Sequence, residues 1–162
     1  MVSLCPRLAV IQFAPIMSFG EGKVGLSERS VSVTDSVLRV IEEHALKAQP
    51  AECCGLLSGT RGLITDAHPL SNTADNPEIK YFASPEELFT AMRRIRNAGQ
   101  VLLGIYHSHP RTAAYPSPTD IELAFYPEAF YFIISLEAKT ELRAFKIEES
   151  AVINVHINVV RS

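Results

Sequence analysis

Apolar positions along the chain change period several times, and each change marks an element. Val31 and Val33 alternate with Ser30 and Ser32, the period-two pattern of a short strand. Val37, Leu38, Ile41 and Ala45 then recur at helical spacing behind Thr34 or Asp35 as a cap, and Pro50 closes that helix. Cys53 to Ser58 is a compact apolar run ending in Gly59-Thr60-Arg61-Gly62, which predicts a hairpin into a strand from Leu63 to Pro69. Residues 71–79 are polar and read as a loop. Ser84-Pro85-Glu86-Glu87 predicts a second helix, with Ser84 as N-cap, Pro85 in the first turn and Glu87 completing a capping box. Leu88, Met92 and Ile95 line its inner face, and Gly99 stops it. Arg93, Arg94 and Arg96 fall mostly off that face and read as solvated.

Val101 to Tyr106 is a buried-strand run leading directly into His107, and a short helix is expected near Ser117-Pro118-Thr119-Asp120. Further strands are expected over Tyr131–Leu136, Glu141–Ile147 and Ile153–Val159. In the last, Ile153, Val155, Ile157 and Val159 oppose Asn154, His156 and Asn158, the pattern of a half-exposed antiparallel strand. The sum is an α+β domain over 27–162: a curved mixed, largely antiparallel sheet, flanked by two main helices, with a short helix after the strand that carries the histidines. Residues 1–26 read as a flexible N-terminal extension. Leu8 to Met17 is mildly apolar, but Gln12 and Pro15 interrupt it and no clean cleavage site follows, so a signal peptide is not expected. Met17 is an alternative start.

Composition narrows the function without naming it. With 162 residues, 47% of them hydrophobic, the chain can bury one core. A net charge of −3 offers no bulk basic surface for nucleic acid or anionic membrane. Cys5, Cys53 and Cys54 form no disulfide framework, and no apolar run reaches the roughly 18 residues of a membrane helix, so a cytoplasmic protein is expected.

The chemistry concentrates in His107-Ser108-His109. Residues two apart on a strand point to one face, so both imidazoles can reach one ion. Asp120, in the first turn of the next helix, can fold back toward them. Two nitrogens and one oxygen suit Zn²⁺, and three protein ligands leave a fourth position open, as in catalytic sites. Glu52 is the best-placed acid for proton transfer, although alone it also reads as an exposed charge at a strand entrance. Ser117 also reads as a helix N-cap and Asp120 as its acidic N3 residue. Cys53 and Cys54 read as small buried residues rather than ligands, and His44, His68 and His156 lack metal-like spacing.

Taken together, Glu52, His107-Ser108-His109, residues 110–116, Ser117 and then Asp120 closely resemble the JAMM (MPN+) zinc metallopeptidase motif, with no departure in type or spacing. The resemblance extends from about Ser27 to Val160 and is to compact, stand-alone prokaryotic members. It implies a JAB/MPN, cytidine-deaminase-like fold. It further implies one Zn²⁺ held by His107, His109 and Asp120, Glu52 as general base then acid, and Ser117 as hydrogen-bond donor to the oxyanion. The implied substrate is an isopeptide or peptide bond after the C-terminal Gly-Gly of a ubiquitin-like protein or sulfur carrier. Its tail would lie beside a strand edge between loops 71–83 and 110–116. Two alternatives stay open: a zinc amidohydrolase for a small molecule or a carrier-attached amino acid, and a non-catalytic MPN scaffold.

Overall fold

A computed structural model describes residues 29–162. The expected extension over 1–26 and the alternative start at Met17 lie outside the described residues. In chain order the elements are β1 (Ser30–Thr34), α1 (Asp35–Ala48), β2 (Cys54–Thr60), β3 (Leu63–Leu70), α2 (Pro85–Asn97), β4 (Val101–His109), α3 (Pro118–Glu122), β5 (Phe130–Ser135), β6 (Glu141–Glu148) and β7 (Ala151–Val160).

The expected curved sheet goes further and closes, in the order β1-β3-β2-β4-β5-β6-β7 with β7 returning to β1. It is antiparallel by only four pairings to three: β1 runs parallel to both β3 and β7, and β4 runs parallel to β5. Parallel neighbours need crossovers. The one between β4 and β5 carries α3 and the whole segment that bears Asp120.

All seven strands contribute to one buried cluster with α1, which is therefore the inner face of the closed sheet. Val37, Ile41 and Ala45 of α1 meet Val33, Leu57, Ile64, Tyr106, Phe132, Ala144 and Val155 there. Two smaller clusters lie outside. Ala91 and Ile95 of α2 pack on Cys54, Leu56 and Leu70. Ala114 packs with Tyr131, Ile133, Phe145 and Ile147, and Ile121 of α3 lies against them. Ile105 of β4 touches both outer clusters, so the outward residues that follow it along β4 emerge in the seam between them.

Local expectations hold with instructive exceptions. Arg61 and Gly62, at φ 53° and 77°, make the two-residue turn between β2 and β3, while Gly59 and Thr60 belong to β2. A Cβ at Gly59 would run into the Leu63 carbonyl, so that glycine answers a close approach. Thr34 precedes α1 without a side-chain cap; its hydroxyl pairs with Ser36 instead. The capping box of α2 forms by half. Ser84 accepts from the Glu87 N–H, but the Glu87 carboxylate turns away to the N–H and hydroxyl of Ser71, at 2.6 and 2.8 Å. β7 keeps its alternation, yet only Val155 is buried; Ile153 and Val159 are exposed, and the strand is antiparallel to β6 but parallel to β1. No helix among the described residues is long and apolar enough to cross a membrane.

Candidate metal centre

Tyr106 and Ser108 of β4 point inward, so His107 and His109 point outward into the seam, 2% and 5% exposed. The strand is locked in place on both sides. β2 pairs Cys54 with His107, and β5 pairs Ile133 with His107 and Ser135 with His109. Ser108, fully buried, accepts the Cys53 N–H through its hydroxyl at 2.8 Å and donates its own N–H to the Cys53 carbonyl at 3.1 Å. This carries the β2–β4 register one residue past Cys54, and one step further sets Glu52 opposite His109 on the same face.

Asp120 arrives from the other side of the crossover. Ser117 caps α3 by accepting the Asp120 N–H, and the Asp120 carboxylate takes the Ser117 N–H and hydroxyl in return, both at 2.7 Å. The short helix thereby turns the carboxylate back onto the strand. Oδ1 lies 3.3 Å from His107 Nε2, and Oδ2 lies 3.4 Å from His109 Nε2. The two Nε2 atoms are 3.0 Å apart. Donors held by a tetrahedral zinc at bond lengths of roughly 2.0–2.1 Å would be about 3.3–3.4 Å apart, so this donor set has the right size as well as the right chemistry. These three residues are the one group of its kind among the described residues.

The proton arrangement favours positive charge at this point. His109 Nδ1 faces the Ala113 carbonyl at 2.9 Å, and a carbonyl can only accept, so Nδ1 carries the hydrogen and Nε2 is turned to the centre. Burial works against charging His109, but hydrogen bonds to Asp120 and to the Ala113 carbonyl outweigh it and raise its pKa. Burial pushes His107 down. For Asp120, burial opposes ionisation, yet its bonds to His107, His109 and Ser117 hold the carboxyl far below the usual range.

Glu52 is 7% exposed, not the exposed strand-entrance charge that it resembles in isolation. Its N–H donates to the Pro77 carbonyl at 2.7 Å, and its own carbonyl accepts from the Asn72 amide at 2.9 Å. Its carboxylate takes no hydrogen bond from any described residue. Burial raises its pKa from 4.5 to about 7, with His109 pulling down and Asp120 pushing up. The structure thus brings Glu52, His107, His109, Ser117 and Asp120 to one seam.

The closed sheet alters one expectation. β4 has no free edge at the histidines, so an extended peptide cannot add to it there. The wall of residues 71–83 supplies instead a short two-stranded stub, with Asn72 bridging Ala83. That wall and loop 110–116 are joined by an ion pair, Arg111 Nη2 to Glu78 Oε2 at 2.6 Å.

A model of prokaryotic homologs of the JAB domain matches residues 34–148. The chain belongs to that family. It is a metallopeptidase of the JAMM/MPN+ type. This JAB domain is 40% identical over 107 residues to a desampylase of Haloferax volcanii, covering 65% of this chain and 77% of the relative. It is 38% identical over 121 residues to a CysO-cysteine peptidase of Mycobacterium tuberculosis, covering 72% and 82%. Among solved structures, a Desulfitobacterium hafniense protein superposes with a TM-score of 0.75 at 35% identity, over 82% of this chain and 94% of that one.

Sequence reasoning missed three residues of this JAB domain's site. Ser108 stands between the two histidines of the motif, and its place at the end of a buried run is the one local signal of its role. Asn72 sits in a polar stretch without periodicity, and nothing local announces its bonds. Tyr81 stacks on His107, a contact made between segments 26 residues apart. Cys53 and Cys54 are buried thiols as expected, and burial pushes them up to about 11 and about 12. His44 and His68 pair with Tyr106 and Ser58, away from the centre.

Proposed function

We propose that this chain is a zinc hydrolase that cuts the bond following the C-terminal Gly-Gly of a ubiquitin-like protein or sulfur carrier. His107, His109 and Asp120 hold one Zn²⁺ in this reading. The observation that carries it is the convergence of two buried histidines and a half-buried aspartate at near-tetrahedral spacing, beside a buried acid whose carboxylate takes no hydrogen bond from any described residue. When bound, zinc supplies Lewis acidity to the scissile carbonyl and lowers the pKa of a water to about 7.

The chain's own residues do the rest. Glu52 takes the proton of the attacking water on its carboxylate and returns it to the leaving nitrogen. Burial raises the pKa of its carboxyl, which makes it a stronger base toward the water than an exposed glutamate would be. Ser117 donates to the developing oxyanion by swinging its hydroxyl proton away from Asp120 Oδ2. The tail runs between the 71–83 and 110–116 walls, and main-chain pairing falls to the 71–83 stub because β4 is closed on both edges. The desampylase and CysO-cysteine peptidase relatives support the substrate class. The second of them also favours, as the competing reading, removal of a single amino acid from a carrier's C-terminus.

The test is intact-mass analysis of a ubiquitin-like carrier, supplied either as a lysine conjugate or with one extra C-terminal amino acid, together with zinc content. Glu52→Gln should keep stoichiometric zinc and lose turnover on whichever substrate is cut; His109→Ala should lose both. Undiminished cleavage by Glu52→Gln would remove the proton-transfer assignment. Ser117→Ala should slow the reaction by roughly 10²–10³ with metal retained, whereas loss of metal would make Ser117 only a support for Asp120.

A further inference from the structure

The two histidines of the centre are held differently. His109 is fixed from behind by the Ala113 carbonyl on Nδ1. His107 has no such bond: among the described residues its polar contacts all run through Nε2, to His109 and Asp120. A metal-ligating histidine ordinarily gains its orientation from a hydrogen bond on the ring nitrogen away from the metal. Something else must set the plane of the His107 ring.

The Tyr81 ring lies on it, with centroids 4.7 Å apart and planes within 29°. Tyr81 is itself held on both sides. Before it, Glu78 pairs with Arg111 across the groove, and the Lys80 carbonyl accepts from the Asn72 amide at 3.1 Å. After it, the Phe82 N–H donates to Asn72 Oδ1 at 3.0 Å, and the Phe82 carbonyl takes the Thr73 N–H at 2.8 Å. Tyr81 also packs against the α2 cluster that contains Leu70 and Ala91. The same Asn72 amide binds the Glu52 carbonyl, so one side chain sets both the segment bearing Tyr81 and the backbone of the acid.

We propose that Tyr81 is a positioning residue of the metal centre: its ring fixes the plane of His107 by stacking, in place of the missing hydrogen bond. This rests on His107 being a metal ligand, as the proposed function has it. The aromatic face does the work and the hydroxyl does not.

The experiment compares wild type, Tyr81→Phe and Tyr81→Leu in the full chain. It measures zinc release to a chelator, the visible absorption of the Co²⁺-substituted protein and the thermal midpoint of the metal-free protein. Tyr81→Phe should match wild type throughout. Tyr81→Leu should release zinc roughly tenfold faster, at the lower end of what loss of an outer-shell partner costs. Its Co²⁺ bands should shift. Tyr81→Met, which fills the space without an aromatic face, replaces Tyr81→Leu if that variant does not fold, and should behave the same way. Unchanged release and unchanged Co²⁺ bands in the folded aliphatic variant overturn the proposal, as does a Tyr81→Phe variant as defective as Tyr81→Leu. Failure of the wild type to bind either metal would instead overturn the metal-centre reading itself.

Discussion

At the scale of single residues, Glu52 is held at a cost that its ionisation makes measurable. Its carboxyl is raised from 4.5 to about 7 by burial, so the fold binds the proton more tightly than the unfolded chain does. The metal-free protein therefore loses stability as pH rises through that window. Glu52→Gln removes the ionisation. At pH 8 the metal-free variant should be more stable than wild type by on the order of 1–3 kcal/mol, and the gap should close below about pH 5. Urea midpoints at the two pH values check this, and a gap independent of pH would show that the charge is not what burial penalises. Cys53 and Cys54 follow the same logic with harmless consequences: thiols pushed up to about 11 and 12 are scarcely ionised at pH 8. Peptide mapping after iodoacetamide should find both unmodified in the folded protein.

The residue types of the centre were legible because metal and proton chemistry demand His, Asp and Glu at strand and helix spacings that a sequence displays. The state of Ser117 was not. Its hydroxyl proton goes to Asp120 in the structure, a commitment that depends on where the helix turns the carboxylate. Tyr81 and Asn72 act through contacts between segments, which no local pattern records.

At the scale of elements, the helices and the β2–β3 hairpin declare themselves through caps and glycine, whereas the β6–β7 hairpin does not. Its turn is Glu149-Ser150, at φ 47° and 68°, a left-handed pair that normally selects Asn or Gly. With neither present, the sequence offered no reason to begin β7 before Ile153, two residues late. The same mismatch makes the turn improvable. Ser150→Gly should raise the thermal midpoint, through about 0.5–1 kcal/mol of relieved backbone strain partly offset by glycine's greater freedom when unfolded. Differential scanning calorimetry would register it, and a lower midpoint would mean that chain entropy outweighs strain here. The half-formed capping box of α2 is similar: Glu87 at the third helical position suits a box by sequence, but Ser71 offers it two hydrogen bonds from the neighbouring wall.

At the scale of the whole molecule, the centre is attached to a frame that is complete without it. The ladders of β2, β4 and β5 hold the strand that bears the histidines, pairing His107 on both sides and His109 with β5. Chelation should therefore leave the far-UV circular dichroism unchanged, with the thermal midpoint falling only by the lost binding energy. A collapse of the spectrum would make the metal a structural component. Closure of the sheet was the part of the architecture least visible in advance. It depends on β1 lying parallel between β3 and β7, a long-range choice on which the alternation of Val31 and Val33 is silent.

That closure also bears on how copies of the chain meet one another. An open sheet ends in two rows of unpaired N–H and C=O groups, the template on which cross-β aggregates extend. Here β1 sits between β3 and β7, so neither side of the ring is left as a terminal strand. β7 itself is paired on one side at a time, with β6 over Ala151–Val155 and with β1 over His156–Val160, so the ring leaves only two short half-edges, beside the exposed Ile153 and beside Val159 and Val160.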